Sequence, residues 1–128
     1  MPTLLKALLI LNFVVEALSG LCMTIMPEQT AAVLYPDLET NVLALKFART
    51  TGMAILVLGL ASILALMKCF RGALPLVLLL LAIYHLLATA HNAYLLAAGG
   101  GSLLPTAVHA MLLAGFVIYS AKEEGKRC

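Results

Sequence analysis

Four polar side chains interrupt an otherwise apolar stretch of the chain, residues 82–94. They are His85, Thr89, His91 and Asn92. Imidazole and amide groups can bind a ligand or hold a cofactor, and histidine can exchange protons near neutral pH. The residues before them are almost all aliphatic, so we predict that the stretch lies inside a membrane, where polar groups need protein partners. The pattern therefore predicts a buried polar site.

Three other apolar stretches carry polar residues at comparable predicted depths. Glu16 lies near the middle of the first stretch, Arg49 near the start of the second and His109 in the fourth. A carboxyl group and imidazoles in a dry environment suit general acid and base catalysis. The candidates for proton exchange are Glu16, His85 and His109, and the candidates for ligand binding are Asn12, Arg49, Thr89 and Asn92.

Helical spacing indicates which of these residues share a face. His85, Thr89 and Asn92 follow one another at positions i, i+4 and i+7, which lie on one side of a helix. His91 points about 120° away from His85, given 3.6 residues per turn. Its role stays open between a contact with another helix, with a loop or with a second subunit.

These residues also have a structural interpretation. Glu16 and Arg49 could form an ion pair between the first two spans, because an unpaired charge at such depth costs at least about 2.5–3.5 kcal/mol. The histidines could equally form hydrogen bonds that only hold helices together. The sequence leaves both interpretations open.

Composition identifies the class of protein. The chain has 128 residues, of which 63% are hydrophobic and 11% are charged, against roughly 45–50% and about 25% in soluble domains. The net charge of +2 is small and scattered, which excludes nucleic acid as an expected partner. The three cysteines are isolated and lack CxxC spacing, so we expect no metal site other than a haem alternative.

Four apolar stretches predict an all-α integral membrane protein, an antiparallel four-helix bundle that forms one domain over residues 1–128. The predicted spans are residues 4–26, 42–67, 74–97 and 103–120, each long enough for a hydrocarbon layer of about 30 Å. The first is expected to be a retained span rather than a signal peptide, because Asn12 and Glu16 interrupt it.

Connections and basic residues predict the orientation. The longest connection, residues 27–40, contains a Tyr35-Pro36 break and is expected on the membrane surface, whether or not it acts as a lid. Short loops that face the cytoplasm are rich in lysine and arginine. Six of the eight basic residues fall on the side of the two termini: Lys6, Lys68, Arg71, Lys122, Lys126 and Arg127. We therefore predict cytoplasmic termini, a bacterial inner membrane or its equivalent, and a polar site in the outer half of the bundle.

Three functions from different classes fit this pattern. The first is binding of a small lipophilic or quinone-like ligand, with acid/base or redox chemistry as a possible addition. The second is electron transfer by a b-type haem held by His85 and His109 on neighbouring helices. The third is a structural or assembly role without a ligand. The expected partners are the lipid bilayer, a small lipophilic ligand and, in an oligomer, further copies of the chain. The cofactor stays open between haem and quinone, as does enzymatic activity.

A family resemblance covers less than half of the chain. Between residues 16 and 65, Gly20 and Pro27 are followed by an amphiphilic connection, the segment Ala48-Arg49-Thr50-Thr51-Gly52 and Gly59. This order resembles the small four-helix DoxX-like membrane proteins. The resemblance implies a four-helix membrane fold and a link to quinone or thiol redox chemistry. The histidines and Asn92 depart from that pattern.

Overall fold

Five α-helices and one 3₁₀ turn make up most of the chain in the computed structural model. The structure describes residues 1–34, 41–99 and 101–124. In chain order, the elements are α1 (Thr3–Ile25), α2 (Pro27–Leu34), α3 (Val42–Leu64), the 3₁₀ turn Lys68–Ala73, α4 (Leu74–Ala97) and α5 (Leu103–Glu124). The predicted Tyr35-Pro36 break and the basic residues Lys126 and Arg127 lie outside the described residues.

Four of the helices are long and apolar enough to cross a membrane. They are α1, α3, α4 together with the preceding 3₁₀ turn, and α5 as far as Lys122, with mean hydropathies between 1.7 and 2.2 in their most apolar windows. Large apolar side chains such as Val57 and Leu87 are exposed on the outside of the bundle. These observations confirm the predicted all-α class and support an integral membrane protein. The first part of the connection expected on the membrane surface is the short helix α2.

Local sequence signals explain several helix ends. The side chain of Asn41 accepts a hydrogen bond at 2.9 Å from the backbone N–H of Ala44 and caps α3. Pro75 lies in the first turn of α4, where its missing N–H breaks no helical hydrogen bond. Gly99 follows α4 with a φ of +80°, a conformation that glycine adopts without steric cost.

The helices associate mainly as two pairs, α1 with α3 and α4 with α5. In the first pair the backbones approach closely, since a Cβ added at Gly20 or at Gly52 would lie 2.7 Å from the carbonyl oxygen of the other glycine. A Cβ added at Gly59 would lie 3.3 Å from the Cβ of Glu16. Small residues permit this packing in membranes, where helix association depends on close contact rather than on the hydrophobic effect.

The two ends of the bundle are filled differently. At the end that contains the 3₁₀ turn, here called the Lys68 end, α1, α4 and α5 form a dense apolar core. Its fully buried side chains are Leu5, Leu9, Leu78, Leu81, Leu112 and Phe116. The opposite end, here called the α2 end, contains the cavity described below. Polar side chains lie between the core and this cavity.

We expect substitution of Gly52 by alanine to destabilise the protein by about 1–3 kcal/mol, the usual cost of overpacking. The added methyl group would meet the carbonyl oxygen of Gly20 and the Cβ of Met23, neither of which can rotate away. The matched control is Gly72→Ala, because a Cβ at Gly72 meets nothing within 4 Å. Titration of the detergent-solubilised variants with SDS, followed by circular dichroism, measures the difference. Equal stability of the two variants would contradict the close approach.

Candidate functional site

Six polar or aromatic side chains meet at mid-depth in the bundle, and we call them the polar cluster. They are Asn12, Glu16, Ser62, Tyr84, His85 and His109. Asn12, Ser62 and His85 are completely buried, and Glu16 is 1% exposed. Such burial in an apolar interior is costly unless each group finds a hydrogen-bonding partner.

A line of hydrogen bonds connects α3, α1 and α4. The amide nitrogen of Asn12 donates to Ser62 Oγ at 2.8 Å, and this hydroxyl donates in turn to the carbonyl oxygen of Leu58 at 3.3 Å. Asn12 Oδ1 is therefore an acceptor, and His85 Nε2 lies 2.6 Å from it. This geometry assigns the Nε2 proton to His85.

The line continues from α4 to α5 through the two histidines. The Nδ1 atoms of His85 and His109 are 2.9 Å apart. A neutral imidazole has one donor and one acceptor nitrogen, so His85, with its proton on Nε2, accepts at Nδ1 from His109. The His85 ring also stacks on Phe116, with centroids 5.5 Å apart. The hydrogen bonds thus share one direction, from His109 towards Ser62.

Glu16 lies beside this line of hydrogen bonds, and its two carboxyl oxygens differ in their hydrogen bonding. The hydroxyl of Tyr84 donates to Glu16 Oε2 at 3.0 Å. Oε1 lies 3.8 Å from His85 Nε2, too far for a hydrogen bond. Among the described residues, Oε1 is buried and has no hydrogen-bonding partner. An unsatisfied carboxyl oxygen at this depth indicates a place where a further group can bind.

A cavity of about 490 Å³ lies beside the cluster, towards the α2 end. Its walls are mostly apolar and come from α1, α3, α4 and α5, together with Leu34 of α2. Its polar groups capable of proton exchange or hydrogen bonding include Glu16, Tyr84, His91, Asn92 and His109. Sites for small molecules usually enclose about 300–1,000 Å³ and combine apolar walls with a few convergent polar groups.

The structure places the predicted ligand-binding residues in three different settings. Asn92 is buried, lines the cavity and donates to the carbonyl oxygen of Ala88 at 2.8 Å. Asn12 lies behind His85, outside the cavity lining, and Thr89 donates to the backbone carbonyl of His85 at 2.6 Å. His91, whose contact partner was left open, is exposed and is one of the residues that line the cavity.

Arg49 lies apart from the cluster. Its side chain is exposed and does not line the cavity. The ion pair with Glu16 that the sequence allowed is absent, and within the described ranges the only ion-pair contact is that of Glu16 with His85. The reason is axial position, since Glu16 lies opposite Gly59, whereas Arg49 is ten residues earlier in α3, about 15 Å along the helix.

Sequence reasoning missed two members of the cluster. The sequence analysis singles out neither Tyr84 nor Ser62, yet they are the partners of Glu16 and Asn12. A signal for Ser62 was present, because it lies one turn after Gly59 on the face of α3 that approaches α1. A signal for Tyr84 was its position directly before His85 at the same depth.

The histidine geometry does not suit a haem between the two rings. Axial nitrogens on opposite sides of one iron lie roughly 4 Å apart, given metal–nitrogen bonds of about 2.0–2.1 Å. The Nδ1 atoms of His85 and His109 are 2.9 Å apart and in direct contact. A porphyrin ring would also need space between the two imidazoles, whose centroids are 5.1 Å apart.

A group suited to a metal ion is present, although the sequence analysis expected none beyond haem. Glu16, His85 and His109 each offer one ligand atom, and these atoms lie within 4.8 Å of one another. The residues come from three helices and are separated by 69 and 24 positions, so no short spacing motif could indicate them.

Comparison of the chain with family models, curated proteins and solved structures finds no match. Nothing in these comparisons bears on the resemblance to DoxX-like proteins, which stays a prediction. The fold and site therefore define the class of this protein as a helical membrane protein with a buried polar cluster, and any function has to be argued from its own residues.

Replacement of Tyr84 by phenylalanine should destabilise the protein by about 1–3 kcal/mol, because Glu16 then loses its hydrogen-bond donor. The matched control is Tyr94→Phe on the same helix, since Tyr94 is 70% exposed. The double variant Tyr84→Phe/Glu16→Leu should recover most of the loss, because it removes both partners. Unfolding in SDS measures all three. A Tyr84→Phe variant as stable as Tyr94→Phe would refute the assigned hydrogen bond.

Proposed function

We propose that this chain is a four-span membrane protein that binds a small lipophilic, quinone-like molecule in the cavity next to the polar cluster. The observation that carries the proposal is the combination of a cavity of about 490 Å³ with Glu16, Tyr84 and His109 in its lining. The surrounding apolar residues suit a lipophilic molecule, and the polar groups suit one with a carbonyl or hydroxyl group.

Hydrogen bonds to the polar groups of the lining would orient the bound ligand. A ligand hydroxyl would donate to the open oxygen of Glu16, and a ligand carbonyl would accept from that oxygen when the carboxyl group is protonated there. Asn12 and Ser62 do not touch the ligand in this arrangement, and they hold His85 and thereby His109 in place. Proton exchange between the ligand and Glu16 or His109 would add acid/base chemistry to binding.

Two other functions remain as competing proposals. A b-type haem would require the two histidines to separate from their direct contact of 2.9 Å. A purely structural role would use the polar cluster only to join helices, and it leaves Glu16 Oε1 unexplained. The likeness to DoxX-like proteins is compatible with quinone-linked chemistry and is offered here as a proposal alone.

A substitution that fills the cavity tests the binding proposal without touching a polar group. Ala88 lines the cavity, whereas Ala90, two residues later on α4, is exposed outside it. We expect Ala88→Leu to weaken binding of decylubiquinone at least about tenfold, or 1.4 kcal/mol, through steric exclusion. Ala90→Leu, which adds the same volume, should bind like the unmodified chain. Native mass spectrometry in detergent measures the bound fraction.

The same purified protein separates the competing proposals. A Soret band in its visible spectrum that is lost in His85→Ala and His109→Ala would favour haem. An absence of bound quinone and of co-purifying lipid, with folded protein throughout, would favour the structural role. Equal binding by Ala88→Leu and Ala90→Leu would place the ligand outside the cavity.

We also propose that the four spans are antiparallel, with both termini in the cytoplasm of a bacterial inner membrane or its equivalent. In α1 and α3, Gly20 contacts Gly52 and Glu16 contacts Gly59. Residue numbers therefore decrease along one helix as they increase along the other, which supports an antiparallel pair. The basic residues Lys68 and Arg71 lie in the 3₁₀ turn at the Lys68 end, as the positive-inside rule favours for a cytoplasmic loop. The cavity would then lie in the outer half. Copies of the chain are further candidate partners.

Cysteine labelling tests this orientation. Cys69 is exposed in the 3₁₀ turn, and Cys22 and Cys128 can be replaced by serine so that it is the single thiol. A membrane-impermeant maleimide should label Cys69 in inside-out vesicles and leave it unlabelled in spheroplasts. As the matched control, Glu28→Cys in a cysteine-free chain places a thiol on α2, where Glu28 is exposed, and should show the opposite pattern. Labelling of Cys69 from outside would reverse the orientation.

A further inference from the structure

We propose that Glu16, His85 and His109 form a binding site for a divalent transition-metal ion such as Zn²⁺ or Fe²⁺. This site goes beyond the proposed function, because protein side chains alone would hold the ion. One carboxylate and two imidazoles from three helices are a recurrent donor set for such ions, and they leave further positions open for water or a ligand. One ligand atom from each residue already lies within 4.8 Å of the other two.

The distance between the histidines fits neighbouring positions on one metal. Two nitrogens bound at about 2.0–2.1 Å lie about 2.9 Å apart at the 90° angle of octahedral coordination and about 3.3–3.4 Å apart at the tetrahedral angle that Zn²⁺ prefers. The Nδ1 atoms of His85 and His109 are 2.9 Å apart. The same distance that disfavours haem therefore suits a small ion held by both rings on one side. His109 would present Nδ1 without a proton, which its Nε2 can carry instead.

The carboxylate supplies the third ligand. Glu16 Oε1 is buried and lacks a hydrogen-bonding partner among the described residues. It lies 3.8 Å from His85 Nε2, on the same ring as the Nδ1 that would bind the ion. An ion at the centre of the group would give this oxygen the partner it lacks. Ligand atoms on one metal lie about 2.9–4.4 Å apart, so only a small movement of the side chains closes the group onto an ion.

Outer hydrogen bonds already orient two of the three ligands. Asn12 Oδ1 accepts from His85 Nε2 at 2.6 Å, which leaves Nδ1 of that ring free of a proton and able to bind metal. Tyr84 donates to Glu16 Oε2 and leaves Oε1 for the ion. Metal sites commonly fix their ligands in this way. The adjacent cavity provides space for the remaining coordination positions.

Metal binding is measured on the full chain, purified in detergent without a histidine tag, stripped with a chelator and supplied with Co²⁺ or Zn²⁺ alone. We expect about one equivalent of metal by elemental analysis and visible absorption bands with Co²⁺. Glu16→Gln and His109→Gln should each weaken binding at least about tenfold. His91→Gln is the matched control, because His91 is an exposed histidine outside the ligand group.

One further variant keeps the test decisive where a ligand substitution impairs folding. Tyr84→Phe retains all three ligands and removes only the orientation of Glu16, so we expect about 10–100-fold weaker binding rather than its loss. Metal content and quinone binding are measured separately on the unmodified chain, so failure of quinone binding and failure of metal binding are separately visible. Less than a tenth of an equivalent in the unmodified chain, or binding unchanged by both Glu16→Gln and Tyr84→Phe, would overturn the proposal.

Discussion

The hydrogen bond between His85 and Asn12 joins the two helix pairs of the bundle across an interior that is otherwise apolar. In a membrane, a polar side chain that loses its partner has no water to replace it, so such bonds specify how helices meet. Asn12 is held in turn by Ser62 on its own side, and His85 by contact with His109 and stacking on Phe116 on the other. Together with the bond from Tyr84 to Glu16 and the apolar core, this contact fixes the depth and rotation of α1 relative to α4.

The close approach of α1 and α3 sets the register on which that contact depends. Gly20 faces Gly52, and Gly59 packs against Glu16, so small residues lie at the points where the two helices come closest in this alignment. One turn after Gly59, this alignment brings Ser62 opposite Asn12. The glycines therefore also determine the hydrogen bonds of the polar cluster. They position a hydroxyl that fixes the Asn12 amide, and the amide fixes the proton on His85.

The sequence predicted the depth of the polar residues in the membrane better than the rotation of each helix about its axis. Each span has a known length, so Glu16, His85 and His109 could be placed near one level from their positions alone, and their ligand atoms lie within 4.8 Å. The rotation of each helix about its axis is set by packing, which a single sequence does not contain. For that reason Arg49, which is exposed outside the cavity, was grouped with the site, and Tyr84, which binds Glu16, was not singled out. The all-α class followed from composition, whereas the association in two pairs required the structure.

The two ends of the bundle are filled unequally, and this leaves the polar cluster next to a cavity. An apolar core fills the Lys68 end, whereas the cavity that Glu16 lines lies towards the α2 end. Within the part of the chain that the structure describes, the buried side-chain atoms without a hydrogen bond are Glu16 Oε1 and Ser120 Oγ. An unsatisfied hydroxyl is costly in such a place, and an ionised carboxyl oxygen is more costly still. The free energy lost at Glu16 is recovered when a donor or a cation binds there, and this favours occupation of the site at the point where the cavity meets the cluster.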